Sequence, residues 1–405
     1  MYLFPLVPRL ALHPSIAMAG LLRDRRRQLG LSLRDVEERS RAFGRPIPFT
    51  TLGKVEQGRV DPGVKRLHLL MRLYHMPLEL AGDVLDLEEY AALLPPEIPR
   101  ERLLDEAVAH WQKGDLQKGL AHLFAFRSHA SQMQDRLLRQ KALLTFAITA
   151  GSLGKYRMSR EIIDNLLVAP PEPPLLVPVL VQAAVCWHWL GSGEAALGFL
   201  NRAEAHLGSH EAKQRAWVHH ERASVYLSMK QFDPAREELG HAIVAYRAAG
   251  DPYGEGRALG VAGRLEFEGG NMRAALAATR VAFEHCARHG FKRLCTMRRL
   301  DEGRALVACG DTGAGLATLS ETLQEAIGTD DDVVRFHAHH ALWKTYGLLG
   351  DSARAELELK GAEYYVRFVD ETVPEAAEIR SRLREARTVR LRTARPRRQI
   401  AATVQ

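Results

Sequence analysis

Side chains able to do chemistry are spread along this 405-residue chain, and their spacing limits what they could do. His285, Cys286 and His289 put two potential metal ligands one helical turn apart, and His337, His339 and His340 crowd a second turn. A metal centre needs three or four converging ligands. Among 17 histidines such neighbours arise by coincidence, so no metal and no cofactor is expected. The 4 cysteines form no CxxC pair. Cys286, Cys295 and Cys309 read as small buried hydrophobes rather than as a redox switch. There is no GxxxxGK[ST] loop, GxGxxG turn, HExxH or GxSxG elbow, and no enzymatic activity is expected.

What remains is the chemistry of cations, and these are unevenly placed. The formal net charge is +7, yet residues 1–78 carry +8, residues 380–405 carry +8, and residues 79–379 carry −9. Basic ends on an acidic body point to a polyanion at the ends. The composition, 46% hydrophobic and 26% charged, is that of a globular protein large enough for two or more domains. Few cysteines suit a reducing, cytoplasmic setting, and no apolar run is long enough for a membrane span. The opening MYLFPLVPRLALHP lacks a basic start and carries Pro5, Pro8 and Pro14, so it does not read as a signal peptide. Residues 1–17 read as an extension or a misplaced start, with Met18 opening the first helix.

The middle of the chain repeats. Breaks at Gly114, Gly154, Gly191, Lys230, Gly270, Gly310 and Gly350 follow one another at 40, 37, 39, 40, 40 and 40 residues. Each marks the turn of a helical hairpin, where glycine takes positive φ. Small residues recur seven before the break (Ala184, Ala223, Gly263, Gly303), five after it (Ala196, Ala235, Ala275, Gly315, Ala355) and twelve after it (Ala203, Ala242, Ala282, Ala362). Leu200, Leu239, Leu319 and Leu359 fill the ninth position. Small residues at facing positions let antiparallel helices interlock closely. The pattern over residues 101–370 resembles the tetratricopeptide repeat, in units near 40 residues instead of about 34. HEAT-like hairpins share that length.

Residues 18–86 read as about five short helices. Gly30 ends the first, Ser32 caps the second, Pro46 and Pro48 re-aim the chain, and a third helix runs from Phe49 to Gln57 with Gly58 as its stop. The fourth follows Pro62 and is expected to bury Val64, Leu67, Leu70, Met71 and Tyr74. The LSLRDV opening, the TTLGKVEQG segment and the apolar helix after Pro62 resemble a helix-turn-helix domain of the Cro/C1 type (XRE family).

The resemblance implies DNA binding by the third helix, with Phe49, Thr50, Thr51, Gly53 and Lys54 toward the major groove and Leu52 and Val55 inward. Arg34, Arg45, Arg59, Lys65 and Arg66 are the candidates for phosphate contact. Arg26 and Glu56 correspond to an internal ion pair of the family. The chain departs from the family at Leu33, where a polar residue is usual, and in a longer turn from Gly44 to Pro48.

In the repeat family ligands bind the concave face through the first helix of each hairpin. That implies His188, His220, Ser224, Arg257, Arg264, Arg304, His340 and Lys344 as ligand-binding residues, a basic set fit for a carboxylate or a peptide backbone. A Cro/C1-like head on such repeats resembles the bacterial peptide-pheromone regulators of the Rgg and PlcR type. Those receptors clamp peptides with asparagines, whereas only Asn165, Asn201 and Asn271 occur here and they form no row.

The expected chain is thus all-α: extension 1–17, five-helix head 18–86, Pro-containing linker 87–100, a right-handed α-solenoid of about seven hairpins over 101–370, and a helical extension with basic tail 371–405. The tail reads as partly helical and otherwise disordered. Its expected function is that of a bacterial, cytoplasmic, homodimeric transcriptional regulator. It would bind double-stranded DNA and sense a peptide or protein ligand through its repeats, away from any membrane. The alternative is an interaction scaffold whose head binds no DNA.

Overall fold

The computed structural model describes residues 15–76, 78–89, 99–113, 115–132, 135–208, 211–329, 331–369 and 373–393, and the chain forms two compact units, 1–97 and 98–405. The described residues contain helices and no strands. No helix among them is long and apolar enough to cross a membrane. The N-terminal segment through residue 14, the Gly114 turn and the tail beyond Thr393 lie outside the described residues.

The described residues of the first unit form five helices: α1 (Ile16–Gln28), α2 (Leu33–Ala42), α3 (Phe49–Glu56), α4 (Gly63–Leu73) and α5 (Leu78–Glu89). Ser15 caps α1 by accepting from the Met18 amide at 2.9 Å, so the helix begins before Met18. Gly30 leaves α1 at φ +66, and Ser32 with Asp35 builds a reciprocal capping box that starts α2. The core gathers Leu22, Val36, Ile47, Leu52, Leu70, Met71 and Tyr74. Val64, expected in that core, is 81% exposed. Six residues before Leu70 it points about 120° away from the Leu70–Leu73–Tyr74 stripe. Leu67 is only half-buried.

The second unit stacks seven hairpins: α6 (Leu103–Lys113) with α7 (Leu116–Gln132), α8 (Arg136–Ser152) with α9 (Tyr156–Val168), α10 (Pro173–Trp189) with α11 (Gly193–Ala205), α12 (Ala212–Ser228) with α13 (Phe232–Ala248), α14 (Pro252–Glu268) with α15 (Met272–Arg288), α16 (Lys292–Ala308) with α17 (Thr312–Thr329), and α18 (Asp332–Leu348) with α19 (Ser352–Tyr365). A final helix, α20 (Pro374–Thr393), follows. The described turns share one geometry. Gly154, Gly191, Gly270, Gly310 and Gly350 lie at φ +72 to +92, and Lys230 adopts the same left-handed region at φ +58 without being glycine. The following amide reaches back to a carbonyl five residues earlier, as in Gln231 to Tyr226 (2.9 Å) and Asn271 to Glu266 (2.9 Å), which closes the first helix of each pair.

The recurring small residues sit where the two helices of a hairpin touch. Ala184, Ala196, Ala203, Ala223, Ala242 and Ala282 are fully buried. A Cβ on Gly303 would lie 2.7 Å from Leu319 Cγ, and one on Gly315 would lie 3.0 Å from the Gly303 carbonyl oxygen. In the fifth hairpin Thr279 replaces the ninth-position leucine, and its Oγ1 would stand 2.5 Å from a Cβ on Gly263.

Successive hairpins curl until distant ones meet. The Arg293 guanidinium of α16 binds the Asp331 carboxylate (2.7 Å) and the Ser152 carbonyl at the end of α8 (3.0 Å). The end of the solenoid is not a loose extension: Ala376 and Ile379 of α20 are fully buried in a cluster with Phe336, Ala362, Val366 and Val369, and Trp189 of α10 packs against it. Gly303→Ala should destabilise the repeat unit by about 1–3 kcal/mol through overpacking, read as a shift of the urea midpoint at unchanged m-value.

Candidate functional site

In the first unit, α3 is placed by groups from three directions. Arg26 of α1 grips Glu56 with two parallel bonds of 2.7 Å each and gives a third proton to the Leu31 carbonyl at 2.7 Å. Arg26 and Glu56 thus meet as a bidentate pair, with their side chains only 12% and 6% exposed. Below it, Leu52 and Val55 enter the core.

The long turn before α3 is held by α2. Ser40 Oγ donates to the Glu37 carbonyl (2.6 Å) and accepts from the Ile47 amide (2.8 Å). The Glu37 carboxylate accepts from the Phe49 amide (3.0 Å) and from Arg41 (2.9 Å). Those two bonds, the Phe49 amide first, hold the Glu37 carboxyl below the usual carboxylate range. Leu33 faces Gly53, where an added Cβ would lie 3.7 Å from Leu33 Cδ1, so an apolar contact occupies the place expected for a polar residue.

The outward face of α3 follows from the helical period. Thr50 and Lys54 are one turn apart and exposed, and exposed Gln57 at the helix end continues their line. Gln57, the last residue of the expected helix, is not among the expected DNA-facing residues; its phase with Thr50 and Lys54 is the signal that points to it. Phe49 is 41% exposed with the Arg34 guanidinium 5.6 Å from its ring centroid. Thr51 and Gly53 are half-buried at the flanks. Arg45, Arg59, Lys65 and Arg66 are exposed. The exposed residues of this unit also include Phe43 at 47% and Val60 at 36%.

The second unit treats its expected ligand-binding residues differently. Rather than an open basic row, most are already paired. Arg257 of α14 binds Glu221 of α12 at 2.8 Å, and Trp217 Nε1 donates to the same carboxylate oxygen at 3.0 Å. Ser224 Oγ turns back to the His220 carbonyl (3.1 Å). Arg304 of α16 meets Glu375 of α20 (3.3 Å), while His340 and Lys344 of α18 share Glu378 of α20 (3.0 and 2.5 Å). Sequence reasoning missed Glu221, Glu375 and Glu378, since nothing in the period of α12 or in a tail segment says which helix they will face.

Arg264 of α14 differs: no hydrogen bond or ion pair of its guanidinium is found among the described residues. Its charge is felt by His188 of α10, by His220 of α12 and by His337 of α18, and it acts on Glu268 of its own helix. Burial lowers His188 to about 4 and His220 to about 3, and it lowers His337 as well. His220 Nδ1 is buried without a hydrogen-bond partner. Helices α10, α12 and α18 thus bring His188, His220 and His337 within electrostatic range of Arg264, while Glu375 and Glu378 of α20 pair with Arg304, His340 and Lys344.

Of the histidine clusters named from sequence, that of His337, His339 and His340 disperses, while the rings of His285 and His289 stay together with centroids 4.9 Å apart. His337, His339 and His340 face Glu375, Glu358 and Glu378 respectively. His285 Nε2 lies 2.8 Å from the Pro252 carbonyl oxygen, and Cys286 is buried with its thiol pushed up to about 11.

These features define an all-α protein whose larger unit is a solenoid of tetratricopeptide-like hairpins. No family model matches the chain, and no curated protein matches it in sequence. Among solved structures it is similar to a Rap protein complexed with competence and sporulation factor, with TM-score 0.55 and 13% identity over 89% of this chain and 99% of that one. It also matches the apo form of RapI (TM-score 0.48, 12% identity, 67% of this chain and 98% of that one). A third match is Bacillus thuringiensis PlcR in complex with the peptide PapR7 and DNA (TM-score 0.41, 12% identity, 69% of this chain and 99% of that one). At 13% identity the likeness to the first of these is one of fold.

Two measurements check this geometry. Arg26→Leu strands Glu56 as a buried lone carboxylate and should lower the stability of the first unit by about 3 kcal/mol, seen as early loss of amide protection in α1–α3. The buried histidines act on the second unit. Their folded pKa values lie below the unfolded 6.5, so the unfolded chain binds more protons between pH 6.5 and about 4. Stability must fall as pH drops through that window, by up to roughly 1.4 kcal/mol per pH unit per histidine; a flat melting temperature from pH 7 to 4.5 would contradict their burial.

Proposed function

We propose that the chain is a non-enzymatic, DNA-binding transcriptional regulator that acts as a homodimer and senses a ligand or protein partner through its repeats. The observation that carries this reading is the face of α3. Thr50, Lys54 and Gln57 stand outward in one line while Leu52, Val55 and the Arg26–Glu56 pair hold the helix from behind. Short hydroxyls, an amide and a lysine suit base edges and phosphates, and the exposed Arg34, Arg45, Arg59, Lys65 and Arg66 supply sequence-independent affinity. One helix of this length reads few bases, and two heads on a two-fold site multiply the discrimination.

The repeat interior supports sensing. Arg264, flanked by His188, His220 and His337, would attract a carboxylate, and a ligand there would compete with Glu375 and Glu378 for the cations of α16 and α18. Such a ligand regulates only if it prefers one of two arrangements of the unit.

A second reading rests on a separate observation. Phe43, Phe49, Val60 and Val64 are exposed apolar side chains of the same unit, which suits a protein partner better than a phosphate backbone. In that case the chain is a scaffold.

Selection of duplexes from a random pool by the purified chain separates the two. The regulator reading expects an enriched two-fold motif, binding that weakens steeply with salt, and loss of at least tenfold in affinity for Lys54→Glu at unchanged melting temperature. A wild-type affinity for Lys54→Glu, or no enrichment at all, would transfer the assignment to the scaffold.

A further inference from the structure

Among the described residues one group of histidine and acidic side chains converges closely enough to hold an ion: His219 of α12 with Glu238 and His241 of α13. It lies outside both sites treated above. Glu238 and His241 are three residues apart on one helix and so share a face, and His219 meets them from the partner helix of the same hairpin. The donor atoms of all three lie within 4.8 Å of one another. His219 Nδ1 is 2.6 Å from Glu238 Oε2, and the rings of His219 and His241 stand edge to face with centroids 5.2 Å apart.

We propose that His219, Glu238 and His241 bind a divalent transition-metal ion, zinc first. Two imidazoles and one carboxylate are a borderline donor set that favours zinc over magnesium or calcium, which take oxygen. Tetrahedral bonds of about 2.0–2.2 Å separate neighbouring donors by roughly 3.4 Å. The His219–Glu238 contact must open slightly and His241 must close in, both within reach of side-chain rotation. His241 is exposed, so an ion can enter and water can take the fourth position. The outer contacts are in place as well. Arg222 donates to Glu238 Oε1 at 3.2 Å, leaving Oε2 toward the histidines, and is itself held by Glu204 (2.7 Å) and Asn201 (3.2 Å). Outer contacts of this kind orient a ligating carboxylate.

The repeat supplies an internal comparison. Three hairpins later, His339 and Glu358 form the same pair at 2.7 Å, but Gly361 stands where His241 would be, and His339 stacks on Tyr365. A histidine–glutamate pair across a hairpin is thus a packing device of this solenoid, and the third donor is what separates the fourth hairpin from the seventh. An ion bound there would clip α12 to α13.

The test is zinc titration of the full-length, tag-free chain against a chromophoric chelator, with cobalt absorption as a second readout. One equivalent should bind. His241→Ala and Glu238→Gln should each weaken that binding at least tenfold, His339→Ala should leave it unchanged, and magnesium and calcium should not compete. Circular dichroism of His241→Ala checks that the exposed substitution leaves the fold intact. Absence of one-equivalent binding, unchanged affinity in His241→Ala, or equal loss in His339→Ala would each overturn the assignment.

Discussion

The structure depends on how closely two antiparallel helices can approach. A hairpin that cannot bring its backbones together leaves gaps, and gaps forfeit the dispersion contacts that make a dense interior favourable. Here Gly303 and Gly315 face one another across the sixth hairpin with no room for a further carbon. Buried alanines hold the same places in the third and fourth, and Gly263 with Ala275 in the fifth. Large residues such as Leu200 and Leu319 fill the space between. Hairpins that share this spacing stack on one another, and stacking continues until the chain has curled far enough for α16 to touch the end of α8.

That curvature turns a row of side chains into an interior. Residues that would be solvated on a straight stack are brought within range of groups several hairpins away, so the charge of Arg264 on α14 is felt from α10 to α18. Desolvation then disfavours every charged form. Arg257 and Arg304 find Glu221 and Glu375, His340 and Lys344 share Glu378, and burial pushes His188, His220 and His337 down. α20 belongs to this balance as much as to the hydrophobic closure at Phe336, because it brings two of the three carboxylates.

The smaller unit solves a different problem, that of holding one short helix at its surface with the outward face left free. Only eight residues form α3, too few to be stable alone. Its anchorage comes from the Arg26–Glu56 clamp behind it and from Ser40 and Glu37, which fix the turn that delivers it. The apolar Leu33 contact completes the seat. Thr50, Lys54 and Gln57 are left unencumbered as a result.

Much of this was legible in the amino-acid sequence because it is periodic or local. Breaks near every fortieth residue, small residues at fixed offsets, and the Ser32–Asp35 cap each depend on neighbours within one or two turns or on a repeat of the same unit. Helical class, hairpin number and the inward residues of α3 follow from such signals. Only the tertiary structure decided the rest. Val64 fell outside the core through a difference of helical phase that spacing alone did not fix. Arg304, His340 and Lys344 of the basic row found their carboxylates on α20, a segment that reads as an extension of the repeats. His219 and His241 came together across a hairpin, although they are 22 residues apart and stand beside no motif. Pairing between distant charges depends on the angle at which one hairpin follows another. That angle is the sum of many small packing differences, and no single stretch of sequence carries it.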